Sequence, residues 1–154
     1  TIDLQTGYFI SNAFKNFISP EFLPLFLFII SALVTVASGF SWSSMVLVMP
    51  VAAQMASGLE NQIIYAAIAA TISGAILGAQ LIPYSDKAIM SAAACKIQPI
   101  DHINTQIPQI LYVAGLTFIA YILMIFLPIV MVYTATILLM GAGYWLHIKF
   151  MHNH

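Results

Sequence analysis

Ser38-Gly39-Phe40-Ser41-Trp42-Ser43-Ser44 and Gly78-Ala79-Gln80-Leu81-Ile82-Pro83-Tyr84-Ser85-Asp86-Lys87 are two polar interruptions in a chain that is otherwise strongly apolar. Each has membrane-grade sequence on both sides. An unpaired backbone group in hydrocarbon costs several kcal/mol, so an unwound segment survives there only when it lines a cavity or is buried in protein. Paired interruptions carrying Gly or Pro point to a chamber for a solute or ion near the middle of the bilayer.

Composition supports that reading. Of the residues, 62% are hydrophobic and 6% charged, and the mean hydropathy is +0.99. Soluble domains carry roughly a quarter charged residues. The charges are Asp3, Lys15, Glu21, Glu60, Asp86, Lys87, Lys96, Asp101 and Lys149, with no Arg. The gaps from Glu21 to Glu60, from Glu60 to Asp86 and from Asp101 to Lys149 each leave room for an uncharged span of ~20 residues or more. The net charge is −1, and no basic cluster points to nucleic acid. Cys95 is the single cysteine, which excludes an internal disulfide and reads as a small packing residue. The chain opens on Thr1 and has no basic-headed signal segment, so it reads as processed or as a piece of something longer.

The expected organisation is all-helical and multi-pass in a lipid bilayer. Residues 1–20 form an amphipathic N-terminal segment, with apolar positions at 10, 14, 17 and 18. Ser19-Pro20-Glu21 is a helix start. A transmembrane unit over 21–154 follows. It comprises a broken or re-entrant pair over 22–57, a broken helix over 63–95, and spans over 107–127 and 129–150. Ala66, Ala67, Ala69, Ala70, Ser73 and Gly74 permit close helix packing. The stretch from Lys96 to Gln106 is polar and reads as an aqueous loop. Tyr144, Trp145 and His147 fall where an interfacial belt would lie, and His152 and His154 belong to a solvated tail. If the first pair is a re-entrant hairpin, Lys15, Glu21 and Glu60 share one side, and Lys96, Lys149 and the tail histidines the other, which the positive-inside rule makes cytoplasmic.

Asp86 is the most informative residue. An ionisable group between apolar segments is functional by default; it would bind Na⁺, carry a proton or pair with a substrate amine. The alternative is a helix cap or salt bridge at the membrane surface. Lys87 either holds a fixed positive charge in the site or snorkels to water. Ser38, Ser41, Ser43 and Ser44 around Gly39 offer hard oxygens suited to Na⁺, or else cap helix ends. Trp42 is a packing wedge or a gate. Gly78, Gln80, Pro83 and Ser85 line the second interruption. Asp101 and His102, followed by Thr105 and Gln106, form either a solvated pair or a proton relay. No resident cofactor or metal is expected beyond Na⁺ or H⁺ as coupling ion. No paired carboxylates, no Ser/His/Asp arrangement and no His/Glu metal spacing within the spans point to an enzyme. The residues alone therefore favour part of a secondary transporter.

The two interruptions resemble motifs of the Na⁺/H⁺ antiporter family of the NhaC type. Ser38 to Ser44, continuing through Met45 to Pro50, is similar to that family's Gly-Thr-Ser-Trp-Gly stretch. Ser73-Gly74-Ala75-Ile76-Leu77-Gly78, then Pro83-Tyr84-Ser85-Asp86, follows a Ser-Gly-Ala-x-x-Gly-Asp-His-x-Ser-Pro-x-Ser-Asp-Thr-Thr pattern in order and spacing. Asp101-His102-Ile103-Asn104-Thr105-Gln106-Ile107-Pro108 resembles an Asp-His-Val-x-Thr-Gln-x-Pro segment. The resemblance runs from about Phe22 to about Tyr112. It departs at Ala79-Gln80, where the family has Asp-His, and at Lys87, where it has Thr.

The resemblance implies one inverted-repeat half of a secondary transporter, similar to the C-terminal half, in a bacterial plasma membrane. Either a second membrane chain then supplies the N-terminal half, which is the favoured reading, or the chain is part of a longer protein. The departures imply a solute other than Na⁺ alone, such as an amino acid. They also leave a second reading, a non-transporting scaffold or assembly subunit derived from a transporter half.

Overall fold

The computed structural model describes residues 19–57 and 59–152, and among these every regular element is a helix. The N-terminal amphipathic segment expected over 1–18 and the tail beyond residue 152 lie outside the described residues. The chain divides into two compact units, Thr1–Ile110 and Leu111–His154.

In the first unit a short 3₁₀ turn, Pro20–Phe22, leads into α1, Leu23–Ser38. Proline in the first turn costs no hydrogen bond, because those amides have no helical partner. α1 stops at Gly39, whose φ of 81° is left-handed and whose amide donates to the Thr35 carbonyl at 2.8 Å. Only glycine takes that conformation without strain, and it is a common way for a helix to end. The chain restarts at once as α2, Ser41–Ala56. Pro50 lies inside α2, on an exposed face.

Asn61–Gln80 forms α3, and its main packing partner is α1. Its buried side is a stripe of small residues, Ala66, Ala67, Ala70, Thr71, Gly74, Ala75, Gly78 and Ala79. That stripe is why the two backbones approach closely. A Cβ on Gly74 would collide with the Phe28 carbonyl, and one on Gly78 would lie 2.5 Å from the Ala32 oxygen and 2.8 Å from Thr35 Cβ. Polar groups inside this contact are paired. Ser31 Oγ donates to the Thr71 carbonyl at 2.6 Å, and Thr35 and Thr71 each donate to the carbonyl four residues back, both at 2.9 Å.

α4, Asp86–Cys95, follows the turn at Leu81–Ser85 and ends at Lys96, in the left-handed region with φ 55°. Its start is capped by Ser85, whose buried Oγ accepts the Ala88 amide at 3.2 Å. Removing a cap of this kind costs about 1 kcal/mol. Ser85→Ala is therefore expected to speed amide exchange across the first turn of α4 several-fold and leave α3 unchanged, a pattern that hydrogen exchange in detergent resolves.

α5, Pro99–Leu123, begins eight residues before the expected span, inside the stretch that reads as a loop. The Gln98 carbonyl takes the Asp101 and His102 amides at 3.1 and 3.2 Å, Asp101 sits in the positive first turn, and Ile103 and Ile110 are buried. The polar residues there are the solvated face of a helix rather than a loop. The boundary between the units falls within α5.

In the second unit, α6, Ile129–His152, contacts the end of α5. Tyr112 lies over Gly143, and its hydroxyl donates to the Leu139 carbonyl at 3.0 Å. Leu116, Tyr121, Met124, Val132 and Met140 line an apolar groove beside them.

Among the described residues, Pro20–Ser38, Asn61–Gln80 and Pro99–Leu123 are long and apolar enough to cross a membrane, and α6 contains a shorter apolar run, Val130–Gly143. Large apolar side chains such as Leu33, Val46, Leu47, Leu138 and Met90 stand exposed. A soluble domain hides such residues, whereas a lipid-facing surface requires them.

Candidate functional site

The end of α1 leaves carbonyls that the helical ladder no longer serves. Those of Thr35 and Val36 show how this chain deals with them. Thr35 receives the Gly39 amide, as described. The Phe40 amide, next in line, turns instead to Ser38 Oγ at 3.4 Å. The Val36 carbonyl is taken by Tyr84, whose hydroxyl donates to it at 2.5 Å across 48 residues of sequence. The Tyr84 ring also lies against Gly39, where a Cβ would meet ring carbon Cδ2 at 3.3 Å. The Ser38–Ser41 and Leu81–Ser85 segments are thus neighbours, joined by one side chain.

The serines divide by helix phase. Ser41 and Ser44 are buried, whereas Ser38 and Ser43 are exposed. The Ser38 and Ser44 hydroxyls lie 3.2 Å apart, and Ser44 Oγ donates to the Phe40 carbonyl at 3.1 Å. Ser38 and Ser44 therefore hydrogen-bond to the backbone of this bend. Gly39 is buried beneath Tyr84. Trp42 is 72% exposed, so it does not wedge into the core of this unit.

At the second segment, Gly78 is buried against α1, Gln80 is exposed at the last turn of α3, and Pro83 is half-buried in the turn. Asp86 is half-buried at the first position of α4, and its Oδ1 accepts the Lys87 amide at 2.9 Å. A carboxylate there is favoured by the helix dipole. Lys87 is exposed. Ala79, which stands where the resembled motif has Asp, is fully buried.

Asp101 is exposed and His102 half-buried in the first turn of α5, where Thr105 Oγ1 donates to the His102 carbonyl at 2.8 Å. Among the described residues no hydrogen bond joins Asp101 or His102 to either interruption. No group of three or more His, Cys, Asp or Glu that could hold a metal ion occurs among them either.

Sequence reasoning missed Tyr84, Ser31, Thr35 and Thr71. The Gly74-x-x-x-Gly78 spacing was a readable sign of close α1–α3 contact. Tyr84 carried no local signal beyond a donor placed in a turn.

Apolar helices of spanning length with exposed apolar surfaces define an integral membrane protein. Its class is narrower than that. The chain belongs to the Na⁺/H⁺ antiporter family, whose model matches residues 1–126. An uncharacterized protein of Haemophilus influenzae (strain ATCC 51907 / DSM 11121 / KW20 / Rd) is 35% identical over 120 residues. That alignment covers 78% of this chain and 23% of the relative, so the chain spans less than a quarter of the relative's length. No solved structure matches the chain. Family membership supports a transport-related role rather than catalysis.

Proposed function

We propose that this chain is one inverted-repeat half of a secondary active transporter of the NhaC type, equivalent to the C-terminal half, in a bacterial plasma membrane. Its 22–57 and 63–95 stretches act as two broken helices whose interruptions line the solute chamber. The observation that carries this reading is the joining of Val36 and Gly39 to the 81–85 turn through Tyr84. It brings a cluster of hydroxyls and the segment preceding Asp86 to one place. Ser38, Ser41, Ser43 and the carbonyls around Gly39 offer hard oxygens. Gly78, Gln80, Pro83 and Ser85 shape the second wall, and Trp42 faces out as a gate. Asp86 supplies the negative charge for Na⁺, H⁺ or a substrate amine, and Lys87 tunes it. Asp101 and His102 serve as a relay at the aqueous end of α5.

The facing half comes from another membrane chain or from sequence beyond this one. The relative's far greater length supports that requirement. Alternating access then follows from one half rocking against the other. The replacement of an expected Asp-His by Ala79-Gln80 supports a small charged solute such as an amino acid over Na⁺ alone. It equally favours a second reading, a scaffold subunit that assembles with a transporter and moves nothing.

Reconstitution separates the two. Proteoliposomes holding the intact assembly should alkalinise or acidify when a Na⁺ gradient is imposed, or accumulate a labelled amino acid down such a gradient. An assembly that forms normally and supports neither flux would establish the scaffold reading.

A further inference from the structure

We propose that Tyr84 is a lock that makes the two interruptions one mechanical unit, so that the Gly39 bend and the Pro83 turn move together; its role in transport rests on the transporter reading above. Three observations carry it. First, the Tyr84 hydroxyl supplies the donor for the Val36 carbonyl that the end of α1 leaves without its usual partner. Second, the ring sits on Gly39, so both the left-handed residue and the carbonyl three positions before it are held by one side chain. Third, both ends of the lock are mounted on a rigid base. Gly78, three residues before the turn, is pressed against Ala32 and Thr35 of α1, and the Thr35 carbonyl in turn holds the Gly39 amide.

Tyr84 is not present for bulk packing, since it is 54% exposed. The part of it that is committed is the hydroxyl and one ring edge. A chamber whose two walls bent independently would leak or lose its ligand geometry, and a shared lock prevents that. Tyr84 is therefore a positioning residue, acting through the Gly39 bend and the segment before Asp86.

The test uses the intact protein in lipid nanodiscs. Tyr84→Phe keeps the ring over Gly39 and removes the donor. Amide exchange is expected to rise about fivefold in both Val36–Ser44 and Leu81–Asp86, the weight of one ordinary hydrogen bond. A rise in one segment alone, or in neither, overturns the lock. A second readout separates positioning from folding, with sodium ion as the probe. In proteoliposomes Tyr84→Phe should lose about fivefold in turnover while the half-saturating sodium concentration stays within about twofold. Unchanged turnover overturns the lock's part in transport. If the unmodified protein supports neither sodium-linked nor amino-acid flux but exchange still rises in both segments, the lock stands and the transporter reading falls.

Discussion

Asp86→Asn is expected to abolish coupled flux in proteoliposomes, lowering the rate at least about a hundredfold. A cation or amine stripped of water needs a countercharge, and removing one partner of such a pair costs ~3 kcal/mol or more. The substitution is chosen so that structure survives it. Asn keeps an Oδ1 to accept the Lys87 amide, the contact that Asp86 makes at 2.9 Å. The lost attraction between charge and helix dipole is worth only ~0.3–1 kcal/mol. Circular dichroism melting should therefore differ little between the two proteins while flux disappears. Asp86→Glu, which retains charge on a longer arm, should recover part of the rate. Flux at the unmodified rate in Asp86→Asn would remove this carboxylate from the mechanism.

The second large effect falls on the scaffold. Gly74→Ala places a methyl group against the Phe28 carbonyl, and Gly78→Ala places one against Ala32 and Thr35. Most of these neighbours are backbone, so no side-chain rotation relieves the clash. Forcing α1 and α3 apart breaks the Ser31–Thr71 bond as well. Each variant should lose ~2–4 kcal/mol of stability, in the upper range for overpacking. Gly115→Ala is the internal control, because a Cβ at Gly115 meets nothing within 4 Å. There the better helix propensity of Ala should be neutral or slightly stabilising. Thermal unfolding in one detergent compares all three. Equal melting of Gly74→Ala and Gly115→Ala would dismiss the close α1–α3 contact.

Local punctuation made part of this architecture readable from sequence. Gly39 is a residue that can end a helix in a left-handed turn, and Pro83 is one that sits poorly inside a helix, so both helix ends fell near the expected places. The start of α5 was obscured because its polar first turns present a solvated face, and a hydropathy reading cannot tell that from a loop. The division of the serines into buried Ser41 and Ser44 and exposed Ser38 and Ser43 depends on α2 beginning at Ser41. Four hydroxyls in seven residues do not reveal that phase. The meeting of Tyr84 with Val36 was hidden for a different reason: it joins residues 48 apart, and no local pattern encodes it.

The Ser31–Thr71 bond has a consequence for biosynthesis. The two partners are 40 residues apart, so at ribosomal speeds the second emerges roughly 2–8 s after the first. Throughout that delay the Ser31 hydroxyl enters lipid without its eventual acceptor and must fold back on its own helix. The nascent chain thus carries an unmatched hydroxyl until α3 arrives and gives it a lasting acceptor.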